Sequence, residues 1–227
     1  MTPRDMQDSF EHKLNIMDSP MMVESHIVFY WLNQAVEHFI RNTILGNNAR
    51  RNSVEQSQKQ TENVRTLIVE NSITPTTGGV EDKPDSYIVT LPSNYNYVLS
   101  EEVSIEVTNL KGDIVTIRQG ITETTSDQYR NDIDNPYSEH KLHYDTAKPL
   151  RLFKEDSIEL ITDGNYTINK YFLRYIRKPE KISLGGIDCE LPEFVHSEIV
   201  DLAVRLFVGS IGDPRYSQES EQSDNNN

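Results

Sequence analysis

The period of apolar positions changes twice along the chain. It is helical at first, alternating in the middle, and helical again at the end. Thr2-Pro3-Arg4-Asp5 is a good helix start, with a hydroxyl cap, proline at the first position and an acid in the first turn. Met6, Phe10, Leu14 and Met17 then fall on one face, and Asp18-Ser19-Pro20 closes the element. A longer helix is predicted from about Met22 to Leu45. Ile27, Tyr30, Trp31, Ala35, Phe39 and Ile40 mark its apolar face, widened by Val28, Leu32 and Val36, and Gly46-Asn47-Asn48 ends it. Ser53-Val54-Glu55-Gln56 has capping-box spacing and opens a third helix, to about Glu70. That helix is polar in its middle and offers only Val54, Val64, Leu67 and Ile68 for packing.

Ser72–Pro84 reads as a linker, and beyond it the alternation has a period of two. Tyr87–Leu91 is a predicted strand halted by Pro92. Val98–Leu110 and Ile114–Gln119 bracket Lys111-Gly112-Asp113 as a hairpin. Thr122–Leu142 is a long polar connection centred on Asn135-Pro136-Tyr137, of the kind that is functional or contacts something else. Leu150–Phe153 is another strand. Ser157–Thr162 and Tyr166–Arg177 flank Asp163-Gly164 and predict a second hairpin. Lys178-Pro179 ends it, and Gly185-Gly186 permits a sharp change of direction. Pro192 suits a first helical turn. From Val195 onward Ile199, Leu202, Ala203, Leu206 and Phe207 recur at helical spacing, until Gly209 and Gly212-Asp213-Pro214 stop the helix.

The last helix needs an apolar partner, and the best candidate is the long helix near the N-terminus. The expected fold class is therefore α+β: a helical bundle from the N- and C-terminal helices with an inserted antiparallel β-sandwich or barrel. The expected boundaries are 1–71 and 190–216 for the bundle and 85–184 for the β domain. Residues 217–227 contain no apolar side chain and form a tail, disordered or ordered by a partner.

Charge changes the picture. The chain has 22 Lys+Arg against 36 Asp+Glu, a formal charge of −14. That opposes a general nucleic-acid-binding surface, which needs basic patches, but suits a wall past which DNA slides without sticking. One cysteine, Cys189, excludes an internal disulfide framework. No apolar run approaches the ~20 residues of a membrane span. The N-terminus lacks the layout of a signal peptide, so the expectation is a soluble protein made in a reducing cytoplasm, with no membrane partner.

Candidate chemistry is sparse. Phosphate-loop, dinucleotide, HExxH and GxSxG patterns are absent. His140 and His143 lie in the densest group of metal-ligand types, but prolines flank the segment and zinc needs three or four ligands in fixed geometry. Asp132-Ile133-Asp134-Asn135 resembles the start of a calcium loop, with Pro136 where glycine is needed. Cys189 has only His196 as a tempting neighbour, and His26 and His38 read as packed or solvated helix residues. No catalytic residue, cofactor or metal is assigned. Tyrosine is more informative. Tyr95, Tyr97, Tyr166, Tyr171, Tyr175 and Tyr216 sit on or beside strands and their ends, where the side chain serves equally as a strand former or as a half-wet interface anchor. The interface candidates are Tyr95, Tyr97, Tyr137 and Tyr166, with Arg215, Tyr216, Glu219 and Glu221 where the last helix gives way to the tail.

Three blocks resemble a known family: TPRDMQDSFEHKLNIMD with FYWLNQAVEHFIR, then YIVTLPSNYNYVLSEEV, then FLRYIRKPEKISL leading to CELPEFVHSEIVDLAVRLFVGSIGDPRY. They resemble the head–tail adaptor, or neck ring, proteins of short-tailed crAss-like bacteriophages, likened to tail tubular protein A. The resemblance implies a bundle from both chain ends with a β domain inserted. It also implies a homo-oligomeric ring, a dodecamer, stacked beneath the portal protein with other neck and tail ring proteins. DNA would pass through its channel without specific binding. The implied place is the virion, and no catalytic residue is carried over. The alternative is a β-sandwich binding module that recognises a carbohydrate or a protein, with the helices as a stalk.

Overall fold

The computed structural model describes residues 1–18, 23–45, 58–78, 85–108 and 111–211. Its elements in order are α1 (Pro3–Asp18), α2 (Ser25–Leu45), α3 (Gln58–Val64), a 3-10 turn (Arg65–Leu67), β1 (Ile68–Ile73), β2 (Thr76–Thr77), β3 (Ser86–Thr90), β4 (Tyr95–Thr108), β5 (Ile114–Gly120) and β6 (Thr122–Glu123). There follow α4 (Tyr129–Asp134), β7 (Leu150–Phe153), β8 (Ser157–Ile161), β9 (Tyr166–Arg177), a 3-10 turn (Glu193–Val195) and α5 (His196–Ile211). The architecture is α+β with mainly antiparallel sheets. The described residues fall into two compact units, one drawn from Met1–Leu67 and Pro179–Asn227, the other from Ile68–Lys178.

In the helical unit, α1 opens on a reciprocal cap. Asp5 N–H donates to Thr2 Oγ1 at 3.2 Å, and Thr2 N–H donates to Asp5 Oδ2 at 2.9 Å. These two bonds satisfy donors that a helix start otherwise leaves free. α5 packs against both α1 and α2. Phe207 is the meeting point, edge-on to Phe10 at 5.8 Å and to Trp31 at 6.2 Å between ring centroids. Lys13 Nζ reaches Asp201 at 2.5 Å across the α1–α5 contact. The buried stripe of α2 is Val28, Phe29, Leu32, Ala35, Val36, Phe39 and Ile40. It is rotated from the expected face: Tyr30 points out, 57% exposed, and Ile27 and Trp31 are half-buried. Asn33 binds both backbone groups of Ile182, accepting its N–H at 2.8 Å and donating to its carbonyl at 3.1 Å. That pair fixes the incoming chain to α2.

The strand unit has two sheets. The first is four-stranded, ordered β1-β9-β4-β5 and antiparallel throughout. The second is ordered β2-β3-β8-β7-β6, antiparallel except for the β6–β7 pair. One core joins them, with Val89 and Leu160 from the second sheet and Ile105, Tyr171 and Leu173 from the first. Alternating apolar positions on the long strands β4 and β9 supply most of it.

Four expectations are corrected. The strands around Asp163-Gly164 do not pair with each other: β8 lies between β3 and β7, while β9 lies between β1 and β4. Gly164 does take the positive φ of +80° expected there, but the turn carries the chain from one sheet to the other. The third helix stops at Val64, and Ile68–Glu70 belong to β1, whose Val69 and Ile73 pack on the strand core. Part of the expected linker is likewise strand, at Ser72–Ile73 and Thr76–Thr77. Gly209 lies inside α5, which runs on to Ile211. The expected capping residues Ser53–Gln56, the stops at Gly46–Asn48 and Gly212–Pro214, and Arg215, Tyr216, Glu219 and Glu221 lie outside the described residues.

Candidate assembly surface

The four-stranded sheet presents one face to the shared core, and its opposite face is polar over Glu70, Arg174, Glu102 and Arg118. Alternation along each strand decides which side chains go where. Val69 and Ile73 of β1 and Ile117 of β5 point to the core, so Glu70, Ser72, Thr116 and Arg118 point outward. The outer face carries a row of charges. Glu70 lies opposite Arg174 of β9, with its Oε1 3.4 Å from Nε. Glu102 of β4 pairs with Arg118 of β5. Arg118 also lies over the Phe172 ring, 4.2 Å from its centroid. Glu70, Arg174, Glu102, Arg118 and Phe172 line one open depression of about 440 Å³. The charge sign alternates across the sheet, negative at the β1 edge and positive at the β5 edge.

The two sheets treat their edges differently. The second sheet ends on β2 and β6, two residues each. Such short edges offer little backbone to pair with. The first ends on β1, six residues, and β5, seven. Glu70, Asn71 and Ser72 are exposed on β1. Ile114 of β5 is 72% exposed. Between Ile114 and Gly120 there is no lysine or proline to discourage pairing.

A buried polar network holds β4, β7 and β9 in register beneath this surface. Arg151 of β7, almost fully buried, pairs with Glu101 of β4 and, at 2.5 Å, with the exposed Glu123. Tyr171 of β9 donates its hydroxyl to Glu101. Burial holds the Arg151 pKa below its ordinary value and pushes the Tyr171 phenol up. Glu159, also buried, has Lys154 Nζ at 2.9 Å. None of these charged residues was singled out in the sequence. Their partners are far away along the chain, and each reads as an ordinary surface charge.

The tyrosine candidates separate by burial. Tyr166 is a core residue whose hydroxyl donates to the His140 carbonyl at 2.9 Å, and burial pushes its pKa up. It presents no free anchor. Tyr171 and Tyr175 are buried too. Tyr95 and Tyr97 are half-buried at the start of β4, and Tyr95 packs on Tyr175 with centroids 5.8 Å apart. Tyr137 is 86% exposed on the connection after α4. Tyr144, outside the interface candidates, is 91% exposed and holds a φ of +57° in the turn closed by His143 and Thr146. A non-glycine residue in that region is uncommon.

The histidines of that connection are not set as a pair of ligands. His140 is buried, with Nδ1 2.8 Å from Ser138 Oγ, and burial lowers its pKa. Among the described residues no group of three or more His, Cys, Asp and Glu side chains is placed to hold a metal ion. Cys189 is buried and its thiol pKa is pushed up by that burial. Nε2 of His196 donates to the Leu191 carbonyl at 2.8 Å, so this ring serves the turn into α5. No helix among the described residues is long and apolar enough to cross a membrane.

The family model described as phage tail ring protein 3/4 matches residues 1–218. This chain belongs to the phage tail ring protein 3/4 family. It is also 27% identical to "Ring protein 3" of Bacteroides phage crAss001 over 229 aligned positions, covering 92% of this chain and 95% of that protein. A shorter match, 38% identical over 66 residues, is to "Ring protein 4/5" of the same phage and covers 22% of this chain. Membership gives the chain a structural, ring-forming role in the bacteriophage tail or neck. For a phage tail ring protein the informative surface is the one that meets another subunit, and among the described residues the edges of the first sheet are the longest strand edges without a paired neighbour.

Proposed function

We propose that this ring protein is a subunit of the head–tail connector. Its copies close laterally into a homo-oligomeric ring, a dodecamer, that joins the portal to the tail and surrounds the DNA channel. The terminal helices, 1–71 and 190–216, form the body, with the β domain, 85–184, inserted as a sandwich. Family membership over residues 1–218 carries this reading. A closed heterologous contact between identical subunits is the general route to cyclic symmetry. The formal charge of −14 suits a channel wall that passes DNA without holding it. Tyr95, Tyr97 and Tyr137, with Arg215, Tyr216, Glu219 and Glu221, are the contact candidates, and residues 217–227 would reach a neighbouring ring. The test is to mix the purified full chain with purified portal complex and image the product by electron microscopy. A stacked ring on one portal face is expected. Full chain that forms no ring, alone or with portal and the other neck proteins, would refute the proposal.

A further inference from the structure

We infer that neighbouring copies join edge to edge through the first sheet, with β5 of one copy pairing with β1 of the next. This rests on the ring reading and adds the contact surface to it. The first argument is topological. β1 runs antiparallel to β9, β9 to β4 and β4 to β5. The outermost strands β1 and β5 therefore run in opposite directions. A second copy in the same orientation presents β1 antiparallel to β5, and the four-stranded sheet continues without a break in pattern. The two edges are different surfaces, so the contact is heterologous and repeats from copy to copy, as a ring needs.

The second argument is electrostatic. The outer face runs Glu70, Arg174, Glu102, Arg118 from the β1 edge to the β5 edge, with ion pairs within the Glu70–Arg174 and Glu102–Arg118 pairs. Docking β5 onto the next β1 sets Arg118 beside the neighbour's Glu70 and extends the alternation. Docking β5 onto β5, or β1 onto β1, sets like charges together, which is unfavourable across strands. The third argument is the contrast between sheets. The two-residue strands β2 and β6 blunt the edges of the second, while the first keeps edges of six and seven residues. Among the described residues no strand pairs with the outer side of β1 or β5.

Disulfide trapping tests it on the full chain with Cys189→Ser. Three double variants sample neighbouring registers: Thr116→Cys with Ser72→Cys, Thr116→Cys with Glu70→Cys, and Arg118→Cys with Ser72→Cys. Within one copy these positions are three strand spacings apart, roughly 14 Å, too far to bridge. Any disulfide is therefore between copies. The expected result is a ladder of oxidised oligomers in one register and rings by electron microscopy. Rings with no intermolecular disulfide in any register would overturn the edge contact and leave the ring reading standing. Wild-type chain that forms no ring, alone or with portal and the other neck proteins, overturns the ring reading, and this inference with it. A second variant, Ile114→Lys with Thr116→Lys, puts charge on the outward-facing start of β5. It is expected to lose ring formation with its melting temperature kept, and undiminished rings in that folded variant would equally overturn the contact.

Discussion

Replacing Arg151 by methionine tests whether the buried network sets the stability of the strand unit. The substitution keeps a long apolar stem beside Phe153 but removes the cation from Glu101, whose side chain is 8% exposed. A buried carboxylate left without its partner destabilises by about 3–5 kcal/mol. Glu123 is different, at 76% exposure, and its pair with Arg151 contributes no more than about 1 kcal/mol. Glu123→Gln is therefore the mild control. The assay is urea unfolding followed by far-ultraviolet circular dichroism, with Trp31 fluorescence alongside. Trp31 is the only tryptophan and lies in the helical unit, so its fluorescence follows that unit while the dichroism follows the whole fold. Arg151→Met should lower the stability read by dichroism by about 3–5 kcal/mol, and Glu101→Gln added to it should recover about half of that loss, because the unpaired charge is gone. A single variant within about 1 kcal/mol of wild type, or a double variant no better than the single, would refute the reasoning.

Gly164→Ala should cost about 1–2 kcal/mol, since φ is +80° and an added Cβ would lie 3.1 Å from Asp85 Oδ2; an unchanged urea midpoint would show that the turn relaxes freely. His140 gives a pH dependence. Burial, aided by Lys141, holds its folded pKa below the ordinary value of 6.5, so the unfolded chain binds more protons between the two values. Its contribution is complete above about pH 6.5 and is lost as pH falls toward the folded value. His140→Gln should flatten the melting-temperature profile in that window, and an identical profile in the variant would assign the pH dependence to other groups.

The sequence shows some of this fold and hides the rest for physical reasons. The cap of α1, the span of β7 and the β4–β5 hairpin are local, and local signals carry them: a hydroxyl three residues before an acid, a short run of leucine and phenylalanine after a proline, a glycine between two alternating segments. The misread hairpin at Asp163-Gly164 shows where local signals stop. Turn chemistry specifies that the chain reverses, not which strand the next one meets. β8 has Ile158, Leu160 and Ile161 buried together with Glu159. A strand covered on both faces needs neighbours on both sides, and β3 and β7 supply them, which leaves β9 to complete the other sheet. The tyrosines fail for a related reason. Tyr166 and Tyr137 have the same propensity and both lie near turns, yet one is buried and the other 86% exposed. Only the register of β9 against β4, which sets Tyr166 opposite Val107, separates them.

The assembly surface was hidden for the opposite reason. Ile114–Gly120 reads as an ordinary strand, and nothing local shows that one side has no neighbour. Edge status is a property of the whole sheet order, as is the alternation of Glu70, Arg174, Glu102 and Arg118, whose members are contributed by four strands spread between Ile68 and Arg177. Stability of the single copy does not require those edges to stay open, because a lysine or proline on β5 would cap them at little cost. What an open edge offers is directional backbone pairing, and a protein whose role is to meet copies of itself has a use for it. The edge-blocking variant is the direct measure of that division: if Ile114→Lys with Thr116→Lys changes assembly and leaves folding alone, the edge serves the ring and not the subunit.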